Sequence, residues 1–207
     1  MDKCIIITSF INGKIKDLVD IEDSYIVCAD GGYDIARREN ITPDVLIGDF
    51  DSLPGPVPAD IKVKQYPSHK DLTDTAICIQ HAAEMGFRNI LIVGGIGGRA
   101  DHTIANIQNI VAAAEKNISV ILLDEQNIAM AIIDDEIYLP ARPGYKLSLF
   151  SHSEECRGVT VTGVEYPLEE ATLTSDYPLG VSNEFLDDEV YIRVKKGQLL
   201  IMLSRDL

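Results

Sequence analysis

The first two-thirds of the chain alternate short apolar runs with helical patterns, and this alternation constrains the fold more than any other feature of the sequence. Each apolar run has the length of one buried strand. Two longer segments, Asp71–Met85 and Asp101–Lys116, repeat apolar side chains with helical spacing. Strands and helices that alternate in this way favour a parallel sheet covered by helices on both faces. The predicted strands are Cys4–Thr8, Tyr25–Ala29, Val45–Gly48, Ile90–Val93 and Ser119–Leu123.

The pattern changes near Pro140. From Tyr145 onward, short runs of alternating polar and apolar residues are separated by turn residues, and Lys196-Gly197 is typical of a hairpin turn. Such a pattern predicts a small antiparallel β-sandwich. We therefore expect an α/β N-terminal domain with a mainly parallel sheet over residues 1–139, followed by a C-terminal antiparallel β-sandwich over residues 140–207.

The charge balance excludes several classes of partner. Eighteen Lys and Arg residues against 33 Asp and Glu residues give a formal net charge of −15 at pH 7. Nucleic acids and anionic membranes are bound through basic surfaces, so neither is expected as a partner. The apolar run that begins at Cys4 stops at Thr8, which is too short for a signal-peptide core or a membrane span. The four cysteines lie far apart without a metal-binding pattern, and we expect a cytoplasmic protein with reduced thiols.

Polar segments that contain glycine directly follow three of the predicted strands. They are Asp30-Gly31-Gly32, Gly48-Asp49-Phe50-Asp51-Ser52 and residues 94–102, whose sequence is GGIGGRADH. The carboxyl ends of parallel strands meet at one edge of a sheet, and open α/β sheets bind their ligands there. The three segments are therefore expected to converge on a single crevice.

Asp49 and Asp51 are candidate ligands of a magnesium ion. Residues two apart in an extended segment point the same way, and Mg²⁺ prefers oxygen ligands completed by water and phosphate. Asp30, at the end of a neighbouring predicted strand, strengthens this interpretation. Asp is also common in turns, and a turn-rich segment, 52–56, follows at once, so the pair alone is also compatible with a structural role.

The segment Lys70-Asp71-Leu72-Thr73-Asp74 opens the first long helix and has two interpretations. Either Asp71 or Thr73 caps the helix, while Asp74 in the first turn suits the helix dipole. Alternatively, Asp74 is a further metal ligand or base, and Lys70 contacts a phosphate. Taken alone, the segment favours capping.

The glycine-rich segment 94–101 is a candidate phosphate-binding loop. Four glycines in five positions let backbone N–H groups approach an anion, and the following helix adds the N–H groups of its first turn. Arg99 adds a bidentate phosphate donor. His102 is either a general base or a helix-start residue bonded to a neighbouring loop. Gly95-x-Gly97-x-x-Ala100 also fits a dinucleotide-binding motif, although it follows the fourth predicted strand and not the first.

Several carboxylates in one crevice repel a polyphosphate unless a divalent cation lies between them. With Mg²⁺ between the carboxylates and the phosphates, these residue types favour a nucleotide-dependent phosphoryl or pyrophosphoryl transfer. The sequence has no G-x-x-x-x-G-K-[ST] loop, so an ordinary P-loop enzyme is not expected.

The combined motifs resemble the thiamine pyrophosphokinase family, in order and approximate spacing, along nearly the whole chain. The first part carries ADGG at 29–32, GDFDS at 48–52, Thr73-Asp74, GGR-x-DH at 97–102 and Ala105-Asn106. The second part adds Gly158-Val159, Tyr166-Pro167-Leu168 and Ser182-Asn183.

The resemblance implies a homodimeric enzyme with sites at the subunit interface, which uses Mg²⁺ and transfers pyrophosphate from ATP to thiamine, giving thiamine diphosphate and AMP. It implies catalytic roles for Asp49, Asp51, Asp74 and Asp101, of which Asp49, Asp51 and Asp74 hold the metal ion. The residues implied to bind ATP are Asp30, Gly31, Ser52, Lys70, Asp71, Gly97, Gly98, Arg99, His102 and Asn106. Those implied to bind thiamine are Asp101, Tyr166, Ser182 and Asn183.

Tyr166 stands where animal members of the family often have a tryptophan that stacks on the substrate. A tyrosine ring also attracts the cationic thiazolium through a cation–π contact, and packing of Tyr166 in the sandwich core is equally compatible with the sequence. Two other functions stay open: an NAD(P)-binding oxidoreductase, indicated by the glycine loop, and a non-enzymatic module that senses thiamine or a nucleotide.

Overall fold

The computed structural model describes residues 3–50, 58–59, 61–67 and 71–206. The chain divides into two units, Met1–Glu125 and Gln126–Leu207. This division lies earlier in the chain than the predicted boundary between residues 139 and 140. The reason is that two strands that precede Ala141 pair with strands of the second unit.

A parallel sheet forms the centre of the first unit. Its spatial order is β6–β5–β1–β2–β3–β4, and every neighbouring pair is parallel. The order turns at β1, because β2 to β4 lie on one side of it and β5 and β6 on the other; a crevice opens at such a turning point, outside the carboxyl ends of the strands. The strands are β1 (Cys4–Ile7), β2 (Tyr25–Ala29), β3 (Val45–Gly48), β4 (Lys62–Gln65), β5 (Asn89–Val93) and β6 (Ser119–Leu123), and the helices are α1 (Ile15–Leu18), α2 (Gly32–Arg38), α3 (Asp74–Glu84) and α4 (Ala100–Ala114).

The predicted strands of this unit are present, each within one residue of its predicted ends. All four residues of β1 are fully buried, as is typical of a central strand with helices on both faces. The edge strand β4 was not predicted, because its sequence, Lys62-Val63-Lys64-Gln65, is exposed throughout and has no apolar run.

Two antiparallel sheets form the second unit, in the orders β12–β9–β14–β7 and β11–β10–β13–β8. The predicted hairpin at Lys196-Gly197 is wrong, because β13 and β14 lie in different sheets. The turn instead carries the chain from one sheet to the other, and the Lys196 carbonyl accepts a hydrogen bond from the Arg157 amide (2.7 Å). The strands are β7 (Asn127–Ile133), β8 (Glu136–Pro140), β9 (Lys146–Ser151), β10 (Glu155–Thr162), β11 (Leu168–Thr174), β12 (Gly180–Asn183), β13 (Glu189–Arg193) and β14 (Gln198–Ser204).

All four cysteines lie among the described residues, where each is buried and none forms a disulfide. Burial, with a smaller contribution from Asp44, raises the pKa of the Cys4 thiol to about 12. Within the described ranges, no helix is both long enough and apolar enough to cross a membrane.

A polar cluster around the buried His81 connects helix α3 to strands β2 and β4. Nε2 of His81 lies 3.2 Å from the Tyr25 hydroxyl, and Nδ1 lies 2.9 Å from Nζ of Lys64. An ammonium group can only donate, so Nδ1 is the acceptor and the proton of the neutral ring is on Nε2. Burial, and then the charge of Lys64, lower the pKa of His81, while Glu84 has a smaller opposing effect.

The free energy of unfolding is expected to fall as the pH is lowered from 7.5 to 5.5, in a way that depends on His81. The pKa of His81 is lower in the folded chain than in the unfolded chain, so the unfolded chain binds the proton first. Uptake of this one proton lowers the free energy of unfolding by at most about 1.4 kcal/mol per pH unit. His81→Gln removes the titration, so its urea midpoint should vary less with pH than that of the wild type or of the control His152→Gln. Equal pH dependence in all three proteins would contradict the prediction.

Candidate active site

A cavity of about 600 Å³ lies at the turning point of the parallel sheet. The segments after β1, β2 and β5 line it, together with the start of α3 and one side of α4. The structure thus brings together seven of the predicted site residues: Asp30, Asp74, Gly97, Gly98, Arg99, His102 and Asn106. Thr8, Ser9, Phe10, Thr73 and Thr75 also line the cavity.

Four other predicted residues of this unit do not line the cavity: Gly31, Asp49, Asp71 and Asp101. Asp49 directly follows β3. The end of β3 pairs with the end of β2, where the Asp30 amide donates a hydrogen bond to the Ile47 carbonyl (2.8 Å). Asp71 borders a separate groove of about 300 Å³ with His81. Gly31 precedes helix α2, and Asp101 lies in the first turn of α4. Asp51, Ser52 and Lys70 lie outside the described residues.

The Asp30 backbone is held in the left-handed region, with φ 44°. A non-glycine residue in this region is uncommon and is often found at functional sites. Two close approaches hold the turn in place. A Cβ on Gly48 would lie 3.0 Å from Cα of Asp30, and a Cβ on Gly32 would lie 2.1 Å from the Ile7 carbonyl oxygen. The turn after β2 therefore packs directly on the ends of both neighbouring strands.

Thr73, and not Asp71, caps helix α3. Its Oγ1 accepts a hydrogen bond from the Ala76 amide (3.2 Å) and a second from Nδ2 of Asn109 on α4 (3.2 Å). The capping interpretation of this segment is thus confirmed for Thr73. The cap also fixes the first turn of α3, in which the half-buried Asp74 lines the cavity.

The glycine loop uses most of its own N–H groups within the protein. The amide of Gly94 donates to the Leu123 carbonyl (2.8 Å), and that of Gly95 donates to the Phe10 carbonyl (2.7 Å). The amide of Gly97 donates to Oγ1 of Thr103 (3.0 Å). The expectation that these glycines present their N–H groups to an anion is therefore wrong for these three. Their positive φ angles, 81–86°, turn the donors toward the neighbouring loop and helix.

Asn106 helps to hold this loop from the side of α4. It is buried, and its Nδ2 donates to the Gly95 carbonyl (3.0 Å). A Cβ on Gly95 would lie 2.5 Å from the same nitrogen, so only glycine allows this approach. The structure therefore gives Asn106 a direct contact with the loop as well as a place at the cavity wall.

Arg99 and Asp101 form a bidentate ion pair. Nε lies 3.1 Å from Oδ1, and Nη2 lies 2.6 Å from Oδ2. Oδ1 also accepts a hydrogen bond from the His102 amide (2.9 Å). The hydrogen bond to Arg99 is the largest cause of the lowered pKa of the Asp101 carboxyl, and it raises the pKa of the guanidinium. Both groups are therefore charged at neutral pH.

The second unit has its own pocket, of about 230 Å³, which includes Tyr166 and Asn183. The buried Asn183 binds the main chain of Tyr166 in both directions: its Oδ1 accepts from the Tyr166 amide (2.9 Å) and its Nδ2 donates to the Tyr166 carbonyl (2.7 Å). The Tyr166 side chain is 66% exposed, so it does not pack in the core. Ser182, with φ 61°, is exposed and donates its amide to Oγ of Ser148 (3.1 Å).

The donors at the main cavity fit a hard divalent ion that shares its ligands with a substrate. Over residues 3–50, 58–59, 61–67 and 71–206, no group of three or more His, Cys, Asp or Glu side chains is arranged to hold a metal ion. Asp30 and Asp74 nevertheless line one cavity, and Asp49 follows the adjacent strand end. Mg²⁺ commonly takes only one or two protein carboxylates, with water and substrate phosphates as its other ligands.

Sequence reasoning did not find Thr8, Ser9 and Phe10. These residues follow β1 directly, and they line the cavity because the strand order turns at β1. They include no glycine and no charged residue, so they carried no motif. Their position directly after the most apolar strand of the sheet was the one sequence feature that could have indicated a place in the site.

The fold and the cavity define a class of protein. Proteins of this class have an α/β unit in which a glycine loop, an arginine and carboxylates lie at the turning point of the sheet. They also have an antiparallel β unit with a separate pocket. Comparison with known families identifies the class. Residues 18–122 match the catalytic domain of thiamin pyrophosphokinase, and residues 135–199 match its vitamin B1 binding domain. The chain belongs to the thiamine pyrophosphokinase family.

Individual relatives match over nearly the full chain. A thiamine pyrophosphokinase of Bacillus subtilis is 30% identical over 200 residues, which are 93% of this chain and 94% of the relative. A thiamin pyrophosphokinase of Caenorhabditis elegans is 24% identical over 211 residues, which cover 93% of this chain and 86% of the relative. The crystal structure of the B. subtilis protein has a TM-score of 0.88 at 27% identity and covers 99% of this chain and 100% of that one. That of Geobacillus thermodenitrificans has a TM-score of 0.85 at 26% identity, with 99% and 98% covered.

Proposed function

We propose that this protein transfers the pyrophosphoryl group of ATP to the hydroxyl group of thiamine and releases AMP. The observation that carries the proposal is the cavity that collects Asp30, Asp74 and Arg99 beside the glycine loop, in a chain that matches both domains of the family. An arginine and paired carboxylates suit a phosphate chain whose charge is shared with a divalent ion. The NAD(P)-binding alternative is not favoured by the family match.

Some of these residues would bind the phosphates of ATP, and others would hold the ion that compensates the phosphate charge. Mg²⁺, when bound, neutralises phosphate charge and polarises the transferred group. Asp74, together with Asp49 and Asp51, would hold this ion, with Asp30 in support. Arg99 would bind a phosphate oxygen, and Gly97, Gly98 and Asn106 would keep the loop before it in place. The further ATP contacts that the resemblance implies, Gly31, Ser52, Lys70, Asp71 and His102, are part of the same proposal.

The pocket of the second unit would bind thiamine. The exposed Tyr166 ring offers a face to a cationic ring, and Asn183 holds the backbone beneath it. Residues 165–189, which include Tyr166 and Asn183, contain eight acidic residues and no Lys or Arg. Glu170 and Glu184 are ion-paired with residues outside this segment, and the remaining negative charge favours a cation. Ser182 adds a hydroxyl group. Asp101, which the family resemblance also implies in thiamine binding, is kept ionised by its ion pair with Arg99.

A homodimer in the cytoplasm is the proposed setting. The second unit leaves several large apolar side chains exposed, as expected of a surface that pairs with another copy. Buried cysteine thiols without disulfides suit a reducing compartment. Sedimentation equilibrium of the purified protein tests the dimer. The exposed apolar residues are Tyr177 (65% exposed), Leu179 (51%), Val181 (45%) and Leu186 (68%).

Incubation with ATP, Mg²⁺ and thiamine, followed by separation of the nucleotides, tests the function. AMP and thiamine diphosphate are expected, and omission of Mg²⁺ should abolish both. ADP in place of AMP would mean transfer of a single phosphate. Binding of thiamine or ATP without turnover would favour a sensing module.

The structure also generates a test of the glycine loop. Gly94 and Gly86 both have positive φ angles (85° and 95°), but a Cβ on Gly94 would lie 2.2 Å from the Phe10 carbonyl oxygen, whereas nothing lies within 4 Å at Gly86. Gly86→Ala therefore meets only backbone strain, on the order of 1 kcal/mol. Gly94→Ala should destabilise the protein by at least about 2 kcal/mol more, because the overlap is with backbone. Urea unfolding of both variants measures the difference, and equal losses would contradict the prediction.

Asp74→Asn should lower kcat by about 100-fold or more, because it removes a carboxylate that holds the ion at the phosphates. Folding should be retained, since Thr73 still caps the helix. Asp51→Asn should behave in the same way. Glu84→Gln, at the other end of α3, is the control and should keep wild-type activity. Full activity in Asp74→Asn, measured as AMP formation, would refute this role for the carboxylate.

Tyr166→Ala should raise the KM for thiamine about tenfold and leave the KM for ATP unchanged, because it removes the ring that faces the cation. Tyr166→Trp should retain or improve thiamine binding. Tyr138 is also largely exposed (58%) and lies outside both the pocket lining and the proposed dimer surface, so Tyr138→Ala is the matched control. A thiamine KM that is the same in both alanine variants would exclude Tyr166 from the thiamine pocket.

A further inference from the structure

We propose that Phe10 is a positioning residue of this active site, whose ring holds the Gly97–Gly98 segment in shape and thereby sets the position of Arg99. The inference deepens the proposed function and rests on it, because Phe10 lines the same cavity.

The ring of Phe10 lies across both glycines. A Cβ on Gly98 would be 3.0 Å from Cδ2, 3.1 Å from Cε2 and 3.3 Å from Cγ of Phe10. A Cβ on Gly97 would be 3.1 Å from Cε1 and 3.6 Å from Cζ. Five of the six ring carbons thus lie against one or the other glycine. Side chains at these two positions would occupy the space that the ring now fills.

The main chain of Phe10 contacts the first half of the same loop. Its carbonyl oxygen accepts the Gly95 amide (2.7 Å), and a Cβ on Gly94 would lie 2.2 Å from that oxygen. One residue therefore touches all four glycines, two through its main chain and two through its ring. Phe10 connects the end of β1 to the loop after β5 across the turning point of the sheet.

Two consecutive glycines have more backbone freedom than any other dipeptide, and Arg99 follows them directly. Thr103 and Asn106 hold the loop through Gly97 and Gly95, but the contact that spans Gly98 is made by the ring. Phe10 is 40% exposed, so most of its surface is covered. A small displacement of a phosphate-binding group lowers the reaction rate strongly. The contact of the Phe10 ring with this segment should therefore affect the binding and use of ATP, and should not affect the binding of thiamine.

Phe10→Ala, Phe10→Leu and the wild type are compared by calorimetric titration with ATP in the presence of Mg²⁺, and by the KM for each substrate. Phe10→Ala should weaken ATP binding and raise the KM for ATP about tenfold, with the KM for thiamine within about twofold of the wild type. Phe10→Leu keeps an apolar cover and should recover ATP binding to within about threefold. If Phe10→Ala does not fold, Phe10→Val, which removes less of the side chain, takes its place in the comparison.

A double-mutant cycle with Gly98→Ala tests the ring–loop contact directly. The added methyl group meets the ring in the wild type, and these contacts are absent in Phe10→Ala, so Gly98→Ala should weaken ATP binding less in the Phe10→Ala background. Gly144→Ala, a glycine with positive φ and no atom within 4 Å, is the control and should be additive.

Additive effects at Gly98 would overturn the inference, as would a Phe10→Ala variant that binds ATP like the wild type. Loss of ATP binding in Phe10→Leu equal to that in Phe10→Ala would also overturn it, and would assign the ring to stacking on the base. If the wild type binds ATP but forms no AMP, the proposed function fails while the titrations still decide the role of Phe10. A wild type that binds no ATP overturns both.

Discussion

The carboxyl ends of the central strands are in main-chain contact, and the arrangement of the cavity depends on this approach. A Cβ on Gly32 or Gly94 would overlap a backbone carbonyl oxygen of the loop or strand end beside it, at 2.1 and 2.2 Å. Backbones come this close only where a side chain is absent. The glycines of the two motifs therefore serve first to pack the strand ends. Asp30 and Arg99 share a cavity because the segments that carry them can touch the end of β1.

Much of the fold could be predicted, for physical reasons that differ between its parts. Buried parallel strands are continuous apolar runs, so β1, β2, β3, β5 and β6 are visible in the sequence. Strand β4 lies at an exposed edge and has no such run, and α1 and α2 are too short to show a stripe. The Lys196-Gly197 pair correctly marked the end of one strand and the start of the next. It could not specify their partners, because pairing depends on strands distant in the sequence.

The candidate site was partly predictable because its charged residues stand directly after strands or at the starts of helices. Asp30, Asp74 and Arg99 were found in this way, and they line one cavity. Phe10 was not found, since its contribution depends on strand order and on contacts with residues far along the chain. The hydrogen bonds of two glycine amides were missed for the same reason: the partner of Gly94 is Leu123 and that of Gly95 is Phe10. Sequence spacing shows where a loop is, and tertiary contacts decide which of its groups remain to bind a ligand.

The pairing of Arg99 with Asp101 means that the guanidinium already has a counter-ion before any substrate arrives. The pair uses only Nε and Nη2, and the two donors of Nη1 lie outside it, so an anion can bind the guanidinium while Asp101 stays in place. Two parallel hydrogen bonds to one carboxylate fix the plane of the guanidinium. The direction of the remaining Arg99 donors is therefore set by Asp101 before any substrate is present.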